Sequence, residues 1–511
     1  MGSELVEIKM SQSPLKIGDK EVQNTVSLTP SPILDSIPKT PKSPFGARIM
    51  TPLASPMKKA LTYMEEIGHF TKLDPQDAWL PITESRNGNA YYAAFHTLSS
   101  GIGVQALVLP LAFITLGWIW GIISLSIIFM WQLYTLWLLI QLHESVPGMR
   151  YSRYLRLSMA AFGEKLGKIL ALFPTMYLSG GTCVTLIMIG GGTMKIFFQT
   201  ICGSNHCHLT SLSTIEWYIV FTVSAIILAQ LPNLNSIAGI SLVGSISAVT
   251  YCTLTWVVSV VKERPEDVSF ETVENKSDLE RVCSILNAIG MIAFAFRGHN
   301  LVLEIQGTMP SSLKNPSHVP MWKGVKFSYS IIALCLFPLA IGGYWAYGNL
   351  MPNGGILSAL DKYHGKDTSK VILGITSLLV VVHSLTSFQI YAMPVFDNLE
   401  FRYTSNKKKP CPWWLRTGFR VFFGCLAFFI SVALPFLPSL AGLIGGIALP
   451  VTLAYPCLMW IMIKKPQTYT STWFVNWSLG LLGLVLSVLL VFGAIWTIAI
   501  QGMDVHFFKP Q

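Results

Sequence analysis

Read only for hydrophobic and polar positions, the chain has two parts. Residues 1 to about 85 contain no apolar run, whereas from about residue 91 to residue 500 apolar runs alternate with short polar breaks. A helix needs about 20 apolar residues to cross a bilayer. By that measure the spacing predicts eleven spans, at 91–115, 118–141, 166–198, 214–231, 235–261, 282–304, 326–348, 370–394, 417–436, 438–463 and 474–500. The expected fold class is an all-α polytopic membrane protein. The expected division is a polar segment over 1–85 and a membrane domain over 86–511.

Most of the runs are Leu/Ile/Val helices, but the first and sixth are not. The first contains Ser99-Ser100-Gly101-Ile102-Gly103 with Pro110 downstream, and the sixth reads Phe294-Ala295-Phe296-Arg297-Gly298-His299-Asn300. Two glycine-interrupted segments at positions one and six are what two five-helix repeats of opposite orientation would place at their common centre. Unwinding there frees backbone groups at membrane depth, where a half-helix N-terminus favours an anion and freed carbonyls favour a cation. An amino acid carries both charges on one carbon. Glycine also marks helix packing, and Gly190-Gly191-Gly192 and Gly445-Gly446 are read that way.

Composition agrees with the pattern. Charged residues make up 12% of the chain, about half the share of a soluble domain, and mean hydropathy is +0.52. The first 89 residues hold ten Lys+Arg and ten Asp+Glu, so the net charge of +10 lies in the membrane region. There it reads as loop bias, and no nucleic-acid partner is expected. Loops 143–165, 305–326 and 397–420 are basic, as is the Lys464-Lys465 pair. Loop 199–213 has no Lys or Arg, and loop 262–281 has seven acids against four bases. Eleven spans with a cytoplasmic N-terminus put every basic loop inside and the C-terminus outside. The site of action is then the plasma membrane or an endomembrane with an acidic lumen. On the outer side lies one glycosylation sequon at Asn275, while Asn476-Trp477-Ser478 falls inside. Cys202 and Cys207 bracket a short polar loop and are expected to pair as a disulfide on an oxidising side. His206 and His208 beside them lack a second Cys/His pair at zinc spacing, so no metal is expected. Enzyme chemistry is disfavoured, since neither a histidine-box pattern nor a nucleophile motif in a credible setting is present.

The N-terminal segment is rich in Ser, Thr, Pro and Lys, too polar to bury a core, and reads as disordered. Its Ser/Thr-Pro pairs at Ser13, Thr29, Ser31, Thr40, Ser43, Thr51 and Ser55 are candidate phosphorylation sites, the last six foremost, with kinases as partners. Alternatively the segment is only a spacer. The basic stretch from Lys39 to Lys59 has no acid and suits an anionic leaflet, and residues 55–68 suit one short amphipathic helix.

Several stretches resemble the lysine/histidine transporter-like members of the plant amino acid permease group. They are D-A-W-L-P-I-T from Asp77, L-G-W from Leu116, L-H-E-S-V-P-G-M-R-Y-S-R-Y from Leu142 and A-F-G-E-K-L-G from Ala161. L-P-N-L-N-S-I-A-G-I-S-L from Leu231, G-H-N-L-V-L-E-I-Q from Gly298, P-M-W-K-G-V from Pro320 and Q-I-Y-A-M-P-V-F-D from Gln389 complete the set. The resemblance runs from about residue 74 to the C-terminus. It implies a LeuT-like 5+5 inverted repeat of 11 transmembrane helices with discontinuous helices one and six. It also implies proton-coupled amino acid uptake, with the proton as coupling ion and no other cofactor. Two departures lie at the presumed site. Gln105 stands where the family's G-A-G-V-L-G-L-P has its second glycine, and Arg297 stands where a small residue usually precedes G-H-N.

The expected substrate-binding residues are Ser100, Gly101, Ile102, Gly103, Phe294, Phe296, Arg297 and Gly298. Arg297 binds a substrate carboxylate, pairs with Glu304, or stands as a fixed charge in place of a cation. In the cavity it would disfavour lysine and arginine as substrates. Glu304 is the foremost proton-coupling candidate, against the alternative of a helix-end carboxylate solvated by an inner vestibule. His299 adjoins the break and can relay protons, and His96 and His383 are weaker candidates. The leading expectation is a symporter of neutral and/or acidic amino acids. Alternatives are a carrier of an auxin-like organic acid and an amino acid sensor with little flux.

Overall fold

The chain enters on a 3-10 turn at Pro75–Trp79 and reaches its first helix, α1 (Ala90–Gly101). Asn89 caps α1, its Oδ1 accepting from the amides of Tyr91 and Tyr92 at 2.9 and 3.0 Å. The helix stops where the sequence analysis predicts. Ile102 and Gly103 are extended, and a 3-10 turn over Val104–Val108 leads into α2 (Leu109–Leu142). At about 1.5 Å per residue α2 is far longer than one crossing. It is divided at Gly117, whose φ of 68° only glycine adopts at no steric cost. One residue therefore separates the first two predicted spans.

The following helices are α3 (Tyr154–Phe162), α4 (Glu164–Cys202), α5 (Thr214–Leu228) and α6 (Ala238–Val261). Then α7 (Asp278–Ala295) ends at extended Phe296. Gly298 at φ 104° and a 3-10 turn over His299–Leu301 lead into the short α8 (Val302–Gly307). The expected span six is thus split like span one. The remaining helices are α9 (His318–Tyr347), α10 (Gly355–His364), α11 (Lys370–Lys407) and α12 (Trp413–Ala433). They are followed by α13 (Ala441–Leu449), a π turn over Pro450–Ala454, α14 (Tyr455–Lys464) and α15 (Ser471–Gln501).

The computed structural model describes residues 75–202, 212–271, 277–296, 298–312, 314–365, 367–434, 441–501 and 507–508. The six foremost phosphorylation candidates, the 55–68 helix, Asn275, Cys207 and Arg297 lie outside the described residues. Cys202 is disulfide-bonded. Among the described residues eight helices are long and apolar enough to cross a membrane, and α5 is a shorter apolar helix. Asn476 sits buried in α15, where its Nδ2 donates to the Thr472 carbonyl at 2.8 Å.

Helix α11 packs against α4 and α6, and α9 against α1, so the broken first helix lies inside the bundle. Small residues allow these approaches. A Cβ on Gly244 of α6 would collide with Thr386 of α11 and stand 2.9 Å from the Ser99 hydroxyl of α1. Of the glycine triplet, Gly190 and Gly191 meet Phe221 and Tyr218 of α5, whereas Gly192 has open space. The triplet is therefore a packing site at two positions rather than three. Gly190→Ala is expected to destabilise the protein by about 1–3 kcal/mol, because the new methyl enters the Phe221 ring. Gly192→Ala should stay within about 0.5 kcal/mol. Thermal unfolding of the detergent-solubilised pair checks this, and equal melting temperatures would refute it.

Candidate substrate site

The two breaks meet. Ile102 and Phe296 form an antiparallel β-bridge, so the unwound stretches lie side by side in the middle of the bundle. Neither stretch has helical partners for its backbone groups there. For the first break the partners come from α11. His383 Nε2 lies 2.7 Å from the Ile102 carbonyl, Ser387 donates to Ser99 O at 3.0 Å, and Tyr391 donates to Ser100 O at 2.8 Å. Residues 383, 387 and 391 are spaced by four and share one helix face. His383 Nδ1 also faces Gly244 O at 3.1 Å, which ties α11 to α6. The carbonyls of Ser99, Ser100 and Ile102, expected to be open, are thus engaged by the protein itself in this conformation.

Beside the bridge lies a small cavity of about 20 Å³. Phe294, Phe296 and Gly298 line it, together with Thr182, Asn300 and Tyr391. Ser100, Gly101, Ile102 and Gly103 are buried behind this wall and are not part of the lining. Phe294 also lines a second, larger cavity of about 450 Å³ that carries Gln105, Thr185, Thr193, Asn353 and Ser358. Its ring stands between the two spaces. Asn300 also borders a third, small cavity of about 40 Å³, shared with Ser179, Thr175, Glu304, Arg153 and Asp397. Asn300 Nδ2 donates to Ser179 Oγ at 3.1 Å. The three cavities form a sequence through the bundle, widest at the Asn353 end.

Glu304 is buried, 6% exposed. Its Oε1 accepts from the Tyr154 amide at 3.3 Å, and its Oε2 has no hydrogen-bond partner among the described residues. It faces the third cavity and is not a carboxylate spread into open solvent. The helix that carries it starts at Val302, after extended Phe296 and left-handed Gly298. His299 points away from all three cavities. Its Nε2 lies 2.9 Å from Gln132 O and 3.2 Å from Thr135 Oγ1, both on α2. His96 is held at 2.8 Å by Ser241 on α6.

The third cavity is closed off by ion pairs. Arg153 reaches Asp397 at 2.5 and 3.1 Å and Asp77 at 2.9 Å, and Arg156 also reaches Asp77 at 2.9 Å. Alongside, Arg416 joins Glu84 and Glu400 at 3.2 and 2.8 Å. The entry segment, the α2–α3 loop, α11 and α12 are thereby tied together. Burial by itself would raise the Asp77 carboxyl, but Arg153, Arg156 and Arg86 outweigh it and hold it below its ordinary value. No group of three or more His, Cys, Asp or Glu placed to hold a metal occurs among the described residues.

The functional roles of Ser387, Tyr391, Asn300, Asp77, Arg153 and Asp397 were not foreseen from sequence. A signal for five of them was present. Asp77, Arg153, Asn300, Tyr391 and Asp397 each lie in a stretch that carried the family resemblance.

Comparisons with known proteins fit this geometry. The fold matches a Na+-coupled sialic acid symporter in a substrate-bound outward-open state, with a TM-score of 0.52 and 12% identity, covering 87% of this chain and 96% of the other. That likeness shows the fold, and the architecture is LeuT-like. Lysine histidine transporter-like 8 of Arabidopsis thaliana is 59% identical over 475 residues, 92% of this chain and 91% of the relative. Lysine histidine transporter-like 7 of the same plant is 47% identical over 440 residues, 85% and 90% of the two chains. Amino acid permease 2 is 26% identical over 456 residues, 83% and 90%. The model of the transmembrane amino acid transporter family matches residues 86–500. The chain therefore belongs to the transmembrane amino acid transporter protein family, as a lysine/histidine transporter-like member of the amino acid permease group and a multi-pass membrane protein.

Proposed function

We propose that the protein is a proton-coupled symporter that imports neutral and/or acidic amino acids across the plasma membrane, with its N-terminus in the cytoplasm. The observation that carries the reading is the meeting of the two breaks at the Ile102–Phe296 bridge beside a central cavity. Two unwound helices that meet at one point are the usual setting of a transporter's binding site; here the second break lines the cavity, and α11 holds the carbonyls of the first. The chain of cavities supports alternating access. The Asn353 end is the roomier and the Arg153 end is crossed by ion pairs, which supports an outward-facing reading. The lysine- and arginine-rich loops lie at the closed end, which supports the cytoplasmic assignment of that end.

Coupling is assigned to Glu304. A buried carboxyl with one bonded and one unpartnered oxygen, in a cavity adjoining Asn300, is placed to take a proton arriving with substrate and to release it when the Arg153 end opens. Arg153 and Asp397 are the charged groups that share its cavity. His299, bonded to α2, is the weaker relay. The Ser/Thr-Pro segment is proposed to regulate this cycle when phosphorylated, and Cys202 to pair with Cys207.

The test is current and labelled uptake in a voltage-clamped heterologous cell, in acidic and in neutral medium. Inward current and accumulation that are larger in acid support the proposal. Surface-expressed protein that binds amino acid yet passes neither current nor label would overturn symport and leave a sensor.

A further inference from the structure

Gln105 is the position at which this chain departs from the glycine of its family's first broken helix. It sits in the 3-10 turn directly after the break, 7% exposed, on the wall of the larger, 450 Å³ cavity. Its Oε1 is buried and meets no donor among the described residues. An orphaned buried carbonyl is costly, and a polar group kept in that state on a cavity wall is explained by a ligand that supplies the missing partner. The surroundings narrow the ligand. Thr185, Thr193, Asn353 and Ser358 are the other polar residues of the cavity, and the rest of its lining is apolar. Among the described residues that line this cavity and the central one, none is charged. An ionised side chain entering here would lose hydration and meet no counter-charge among these described residues. An aliphatic side chain would leave the Gln105 oxygen unpartnered.

We propose that Gln105 is a specificity-determining residue that selects amino acids with a neutral hydrogen-bonding side chain, carboxamides foremost, by pairing with the side chain as the substrate passes from the outer to the central cavity. The proposal rests on the transport reading above and names the substrate class of that same site. A carboxamide presents an N–H to the orphaned Oε1 and a carbonyl to the Gln105 amide group through two separate atoms, whereas a hydroxyl has to donate and accept through one oxygen. Discrimination of this kind is large when the site's own polar group is otherwise left unpaired.

The experiment is uptake of labelled glutamine and leucine, each neutral overall, by wild type, Gln105→Leu and Gln105→Asn, normalised to surface protein. Because both substrates carry the same net charge, the ratio of their kcat/KM values reads side-chain pairing and not the charge of Arg297. Wild type should favour glutamine, and Gln105→Leu should lower that ratio roughly tenfold, chiefly through glutamine. Gln105→Asn, which keeps the carboxamide, should restore part of it. A ratio that is the same in wild type and Gln105→Leu would overturn the proposal. So would a loss of both substrates in equal proportion in the two variants. If wild type itself moves neither amino acid, the transport reading fails first, and this outcome is distinguishable because the ratio then has no value in any variant.

Discussion

Glu304→Gln is expected to abolish the dependence of uptake on external acidity. The substitution keeps the size and shape of the group that Tyr154 holds through its amide, so the packing of α8 against α3 is preserved. It removes the only function the proposal asks of that group, which is to gain and lose a proton once per cycle. Uptake in acid and in neutral medium should become equal, and accumulation above the external concentration should disappear. Exchange of internal for external amino acid should persist, because it needs no net proton movement. The expected fall in concentrative uptake is on the order of 100-fold, the range in which removal of a positioned proton carrier is usually felt. Acid-stimulated accumulation that survives in Glu304→Gln would move the proton elsewhere, with His383 the next group to replace. The reason is its geometry. Its two ring nitrogens face the Ile102 and Gly244 carbonyls, and a neutral imidazole donates through only one of them.

Arg153→Ala is expected to weaken closure at the opposite end of the pathway. The side chain joins Asp77 to Asp397, which are 4% and 2% exposed. Removing the cation leaves Asp397 without its Arg153 counter-charge while Asp77 keeps Arg156, and breaking a buried pair in this way costs about 3–5 kcal/mol. That cost falls on the conformation described here, in which this end is shut. A cysteine placed at Ser179, in the third cavity, should therefore become reactive to a thiol reagent applied from the Arg153 side. Uptake should fall as the outward-facing state is depleted. Arg153→Lys should rescue poorly, since a point charge cannot reproduce the fork that reaches both oxygens of Asp397. Arg153→Met combined with Asp77→Asn and Asp397→Asn should be milder than Arg153→Ala alone, because no uncompensated charge is left. Unchanged reactivity at position 179 in Arg153→Ala would show that the ion pairs do not hold the gate. The latch should also be indifferent to pH near neutrality. Asp77 is held below its ordinary carboxylate value, so its stabilising charge is present above that value and is lost only as pH falls through the lowered one.

These two residues were not equally visible beforehand. Glu304 stands out in sequence because a carboxyl within an apolar run has few structural explanations. Arg153 does not, since it sits in a polar loop among other basic residues and reads as topological bias. Its role appears only when Asp77 and Asp397, 76 and 244 residues away in sequence, are brought against it. His299 shows the opposite case. Its place beside the break made it a proton-relay candidate, but one turn of chain aims the ring at Gln132 on α2 instead. Likewise Ser100 and Ile102 were expected to face the ligand, yet their carbonyls are occupied by Tyr391 and His383. Sequence locates a break without saying which side of it opens on the cavity.

The sequence by itself determined where the chain is apolar long enough to cross a bilayer, where two of those runs are interrupted, and which loops carry positive charge. Those properties are local. Apolar length, glycine's access to conformations such as the φ of 104° at Gly298, and the cost of moving lysine and arginine across lipid are each set by a few adjacent residues. Only the tertiary structure decided that the two interruptions face each other across the Ile102–Phe296 bridge, that α11 supplies the donors for the first of them, and that Gln105 is left with an unpartnered oxygen on a cavity wall. Partnership of that kind depends on the register between helices distant in sequence. Register is settled by packing at close approaches such as Gly244 against Ser99 and Thr386, where residues from three helices must fit together at once.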